Sequence, residues 1–211
     1  MRGLKDRTSQ IFIFFIGFYG LQLVGAMFID SFAPVWDIAA AVFLISVFFV
    51  MHKKTGFKPA VPFLIGIGFF PHILGLYDIF GAGITLYGAE LFNYHYDWIV
   101  HSFGMFCYTL AFCSISFDHL IKGLRSKILV LVFVLFFMNG VGAFNESLEY
   151  VGFDVIGYGE GFLEFGDGDA SPVGGPWENS SMDVICNLFG ILFGLGVFLT
   201  KSYLPDLDAV L

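Results

Sequence analysis

The chain has 211 residues, 57% hydrophobic and only 13% charged. A soluble domain of this size carries about 25% charged residues, so an integral membrane protein is expected rather than an aqueous globular enzyme. A net charge of −8 argues against a nucleic-acid partner.

The apolar residues fall in six blocks, at about 11–29, 32–51, 60–80, 97–117, 128–150 and 183–204. Each has the roughly 20 residues that an α-helix needs to cross a bilayer. Backbone in lipid must satisfy its own hydrogen bonds, so the choice is helix or closed barrel. Runs such as IFIFFIGF and LVLVFVLFF do not alternate as barrel strands would. The expected fold is all-α: a six-helix transmembrane bundle forming one domain over residues 1–211.

The basic residues orient the bundle. Arg2, Lys5 and Arg7, then Lys53, Lys54 and Lys58, then Lys122, Arg125 and Lys127, and finally Lys201 are all of the Lys and Arg residues. With six spans they share one side, which the positive-inside rule makes cytoplasmic. Both termini are then cytoplasmic, in a plasma (inner) membrane. Most of the acids face outside. The first segment has some features of a signal peptide but no A-x-A site, so it is expected to stay as a span.

Two outer connections stand out. Residues 81–96 are polar and aromatic and are expected at the membrane interface. Residues 151–182 form a long, acidic, glycine-rich loop expected to cover the outer mouth of the bundle. Within it Asp167, Asp169, Ser171, Val173, Gly175 and Glu178 are spaced like calcium-loop ligands, but Pro172 stands where that loop needs glycine. Asn179-Ser180-Ser181 is a glycosylation sequon. Cys107, Cys113 and Cys186 lie within spans and are expected as small buried hydrophobes.

The fourth, fifth and sixth spans share a polar pattern at their outer ends. Asp97, His101, Gly104 and Tyr108 open one span, and Asp183, Asn187, Gly190 and Gly194 open another. Glu149, Glu146, Gly142 and Asn139, read backwards, close the third. Steps of three and four place each set on one helical face. The glycines on those faces point them at neighbouring helices rather than lipid.

Ionisable groups inside a membrane are costly and mark functional sites by default. Four carboxylates gather there with no Lys or Arg on the same side. They are compatible with shared protons, with solvation by water, or with a bound cation. Carboxylates with imidazoles suit a divalent metal, for which His72, His95, Asp97, His101, Glu146, Glu149 and Asp183 are the candidate ligands. Glu149, Asp183 and His101 are the candidate catalytic residues, with Glu149 as general base. No organic cofactor is expected. A simpler reading makes the acids solvated helix ends, with Asp97 and Asp183 favourable at helix N-termini. Asp37 is read the same way, as a helix-start residue after Pro34. The apolar inner halves of these spans argue against a proton or ion path through one chain.

Together these motifs resemble those of the VanZ-like membrane proteins: Asp97-x-x-x-His101, then Glu146-x-x-Glu149, then Asp183-x-x-x-Asn187-x-x-Gly190. The chain is more similar still to YjdF-like bacterial inner-membrane proteins. His72, the His95 to His101 stretch, Phe162-Leu163, Gly166-Asp167, Trp177 and Met182-Asp183 carry that likeness. The resemblance covers roughly residues 60–200. It implies a polytopic bundle, with two open functions. One is a metal-dependent enzyme acting on a lipid-linked or envelope small molecule. The other is a non-catalytic envelope protein that affects surface antibiotic susceptibility.

Overall fold

The computed structural model describes residues 6–28, 33–79, 81, 85–87, 90–91, 94–119, 127–156 and 175–203. The elements are α1 (Arg7–Ala26), α2 (Ala33–Thr55), α3 (Ala60–Gly68), α4 (Phe70–Gly75), β1 (Glu90–Leu91), β2 (Tyr94–His95), α5 (Tyr96–His119), α6 (Lys127–Ile156) and α7 (Gly175–Tyr203). Helices α1, α2, α5, α6 and α7 are long and apolar enough to cross a membrane. The all-α membrane architecture holds.

The third expected span is two short helices rather than one. Pro71 cannot donate a backbone hydrogen bond, and its ring clashes with the carbonyl four residues back. The chain therefore breaks at Phe69, the C-cap of α3 and N-cap of α4. The other ends follow local chemistry. Asp6 caps α1, accepting from the Ser9 amide at 2.8 Å and the Ser9 hydroxyl at 2.6 Å. Helix α2 ends with His52, Lys53 and Lys54 in its last turn, which suits the helix dipole. Gly56 follows at φ 79°, and its amide returns to the His52 carbonyl at 2.8 Å.

Two helix bounds differ from expectation. Helix α6 runs on to Ile156, and α7 begins at Gly175 with Pro176 in its first turn. The connection between them is therefore 157–174, not 151–182, and the sequon lies within α7. Residues 157–174, with Asp167, Asp169, Ser171 and Val173 of the calcium-like spacing, lie outside the described residues. Gly175 and Glu178 of that spacing fall in the first turn of α7.

The helices assemble around α5, which packs on α3 and α4 on one side and on α6 and α7 on the other. One apolar core joins α1 to α4, around Phe12, Tyr19, Ile38, Ile45, Val61 and Ile65. A second joins α5, α6 and α7 through Met105, Cys113, Val130, Val134, Met138 and Ile191. Cys107, Cys113 and Cys186 are free thiols. The α5–α7 interface depends on glycine. A Cβ at Gly190 would collide with the Ser102 carbonyl, and one at Gly194 would lie 3.1 Å from the Phe106 carbonyl.

Helix α1 is a full member of the bundle: Phe12 and Tyr19 are completely buried, and the Tyr19 hydroxyl donates to the Gly66 carbonyl at 2.7 Å. Large side chains such as Phe14, Phe43, Phe136 and Phe193 are turned outward. On a membrane helix such a face meets lipid.

Two contacts mark the ends of the bundle. At one end His52 of α2 meets Asp6 at the start of α1. At the other, Asp37 of α2 meets His72 of α4. Fifteen helical residues separate Asp37 from His52, roughly 22 Å along the axis.

Candidate functional site

At the Asp37 end, α5, α6 and α7 bring their polar faces together. Asp97 and His101 lie one turn apart on α5, and the His101 Nε2 is 3.3 Å from the Asp97 Oδ1. From α7, the Asn187 Oδ1 lies 3.1 Å from the His101 Nδ1, and its Nδ2 donates to the Glu146 Oε1 at 3.4 Å. Glu146 of α6 stands 3.5 Å from the same Nδ1. Glu149, one turn further along α6, accepts from the Asn145 amide at 2.5 Å. Asp97, Glu146, Asp183 and Asn187 are buried, Asp183 completely.

Helix extents exclude the helix-end reading for three of the four acids. Asp183 is more than two turns inside α7, and Glu146 and Glu149 are two to three turns short of the end of α6. Only Asp97, in the first turn of α5, has an N-terminal position. The predicted stripe ends at Asn139, whose amide donates to Leu135 of its own helix.

His101 sits between acceptors. The Asn187 oxygen and the Glu146 carboxylate face Nδ1, while the Asp97 carboxylate faces Nε2. A neutral imidazole donates from one nitrogen only. With Nδ1–H directed at Asn187, a lone pair at Nε2 would point at a carboxylate. The arrangement therefore calls for a second proton on His101 or a cation at Nε2. Charge argues the same way. Two carboxylates about 4 Å apart repel by about 4 kcal/mol at an effective dielectric of about 20, and no Lys or Arg lines the pocket.

The donors fit a divalent metal. Asp97, His101 and Asp183 each offer an atom within 4.8 Å of the others, as do His101, Glu146 and Glu149. The first set has the better chemistry, because Nδ1 is already engaged and Nε2 faces Asp97. A separation of 3.3 Å is near the edge length, about 3.0–3.4 Å, between two ligands bonded at about 2.1 Å. The Asp97 Oδ2 and the Glu146 Oε2 are buried with no hydrogen-bond partner among the described residues. Asn187 and Glu146 would then orient the imidazole from behind, as metal-binding histidines require.

The opposite wall holds a group that sequence reasoning missed. Asp37 is buried inside α2 and does not cap it. Its Oδ1 lies 3.3 Å from the His72 Nε2, and the His72 Nδ1 is in short contact with the Tyr87 hydroxyl. His72 is thus held in a carboxylate–imidazole–phenol chain, across the pocket from the Asp97, His101 and Asp183 donors. His95 is not drawn in. It ends β2 with its ring against Trp98, 5.1 Å between centroids, and belongs to neither donor group. Residues 85–87 also depart from a simple interfacial loop, because Leu86 and Tyr87 are buried.

Between the walls lies a cavity of about 160 Å³, lined by both His residues, Asp37, Asp97 and Glu149, with Phe69, Met105 and Tyr108 among its apolar neighbours. Drug-sized ligands occupy about 300–1,000 Å³, so this space suits a cation with a few waters or one small head group. Met105 joins this lining to the apolar core of α5, α6 and α7.

No curated protein and no solved structure matches the chain. Residues 10–201, nearly the whole bundle with its polar site, match a family described as "Predicted membrane protein (DUF2238)", and the chain belongs to that family.

Proposed function

We propose that this chain is a metal-dependent enzyme of the outer membrane face that acts on a lipid-linked or envelope small molecule. One observation carries the reading: His101 lies between acceptors on both ring nitrogens, in an acid-rich pocket with no Lys or Arg among its lining residues. Asp97, the His101 Nε2 and Asp183 would hold the cation. Bound there, a divalent metal would polarise a phosphoryl or carbonyl oxygen. Glu149, held by Asn145 at the pocket, takes the proton of the attacking water. The Asp37–His72–Tyr87 chain offers a phenol proton to the leaving group from the other wall.

The α3–α4 pair, though broken, carries the chain from the Lys53 end to the Asp37 end, which supports six crossings with both termini cytoplasmic. The site then lies in the outer half of a bacterial inner membrane, as the YjdF-like and VanZ-like motifs imply. The second reading is a non-catalytic VanZ-like envelope protein. The amide clamps of Asn145 and Asn187 on Glu149 and Glu146 favour it, since they would also serve as structural bonds.

Metal analysis of chelator-washed protein separates the two readings. The enzyme reading expects a stoichiometric divalent metal in the native chain and its loss in Asp183→Asn. Native protein with no more metal than a buffer blank would refute it.

A further inference from the structure

The pocket has a side entrance. Helix α2 packs on α1, α3 and α4, while α6 packs on α5 and α7, and both helices line the cavity. Its lining includes Ala40 and Leu44 of α2 and Val141 of α6. Leu44 and Val141 are 43% and 40% exposed although both lie within membrane-crossing helices. A residue that lines the cavity and is also open at the surface of a span marks a lateral opening onto lipid.

The opening has a polarity. From Asp37 to Leu44 the helix advances seven residues, roughly 10 Å toward the middle of the bilayer. Glu149 to Val141 descends α6 in the same direction. Polar groups therefore line the outer end, and an apolar lip continues inward from them. An amphiphile has this order, with its head at the rim and its tail toward the bilayer centre. The cavity is large enough for a head group and too small for acyl chains, which would stay outside between α2 and α6. The head group meets Asp37, Asp97 and Glu149 with no Lys or Arg among the lining residues. An anionic head finds no Lys or Arg to bind it there, whereas an ammonium is attracted by the carboxylates that a bound cation leaves free and by the neighbouring rings of Phe69 and Tyr108.

We infer that the pocket admits a phospholipid with an amine-bearing head group, sideways from the bilayer between α2 and α6, its acyl tail resting on Leu44 and Val141. This rests on the reading of the pocket as an outer-half substrate site and names its substrate class.

The test uses the full chain, delipidated in detergent and incubated with phosphatidylethanolamine or phosphatidylglycerol, with retained lipid counted by native mass spectrometry. Native protein should retain phosphatidylethanolamine at least about tenfold better than phosphatidylglycerol, a difference of about 1.4 kcal/mol. Val141→Trp and Leu44→Trp, which obstruct the entrance from opposite lips, should each abolish that retention. Phe136→Trp, on an outward face of α6, should leave it unchanged. Equal retention of the two lipids overturns the head-group assignment. Retention that survives both lip substitutions, or is lost equally in Phe136→Trp, overturns the lateral route. Metal content measured on the same samples keeps the two proposals apart. Lipid retention without metal sinks only the metal reading, and metal without lipid retention sinks only this inference.

Discussion

Asn187 holds His101 by its Nδ1 at 3.1 Å, which leaves Nε2 to face Asp97 at 3.3 Å. The partners sit 86 residues apart on α7 and α5, so the orientation of one imidazole depends on how two helices pack. Substituting Asn187 by Ala removes the acceptor behind Nδ1 and the donor to Glu146 together. Losing such an orienting partner lowers metal affinity by about 10–100-fold. Competition with a graded series of chelators checks this, and an unchanged affinity would show that Asn187 does not position the ligand.

The α5–α7 contact that makes this geometry possible has its own test. Gly190→Ala drives a methyl into the Ser102 backbone, which cannot rotate away, whereas the space at Gly196 is open. Overpacking of this kind costs about 1–3 kcal/mol, so Gly190→Ala should lower the melting temperature in detergent. Gly196→Ala should be neutral or mildly stabilising, because Ala is the better helix former. Equal effects at the two sites would mean that the helices do not approach as closely as described.

Asp37 and His72 should behave as a coupled pair. Each single change takes away the partner of the group that stays, while the double change removes both ends of the contact together. A double-mutant cycle with Asp37→Leu and His72→Phe should show a coupling of about 0.5–3 kcal/mol in stability. Additive losses would mean that the 3.3 Å contact contributes nothing.

Much of the main site was legible because helical period survives in sequence. Steps of three and four put Asp97 with His101, Asp183 with Asn187 and Glu146 with Gly142, and helix packing did the rest. The opposite wall was not legible. Asp37 meets His72 in α4, the short helix that begins after the break at Phe69, and Tyr87 reaches His72 from residues 85–87, which turn inward. Neither event has a period. His95 was misjudged for a related reason. It lies two residues from Asp97 in β2, where the helical spacing that aligns Asp97 with His101 does not apply. The start of α7 was misplaced by weighing the eight glycines of 151–182 over Pro176, a residue favoured in the first helical turn. That error alone made Asp183 look like a helix cap.

The opposite end of the bundle gives a prediction about pH. Asp6 accepts from the Ser9 hydroxyl and amide and from His52, and these bonds lower its carboxyl from the ordinary 3.8 to about 2. His52 is fully buried. Its Nδ1 accepts from the Phe57 amide at 2.9 Å, which makes Nε2 the nitrogen that donates to Asp6 at 3.2 Å. The cap thus ties the start of α1 to the end of α2. Because the folded-state value is the lower one, the unfolded chain binds more protons between the two values, and stability rises with pH across that window. The contribution is complete above about pH 4 and disappears as pH falls through about 2. Melting temperatures of native protein and Asp6→Ala should therefore differ by a constant amount at pH 5 and above, and converge as the pH is lowered from 4 to 2. A difference that persists undiminished at pH 2 would mean that the ionised carboxylate is not what holds the two helices together.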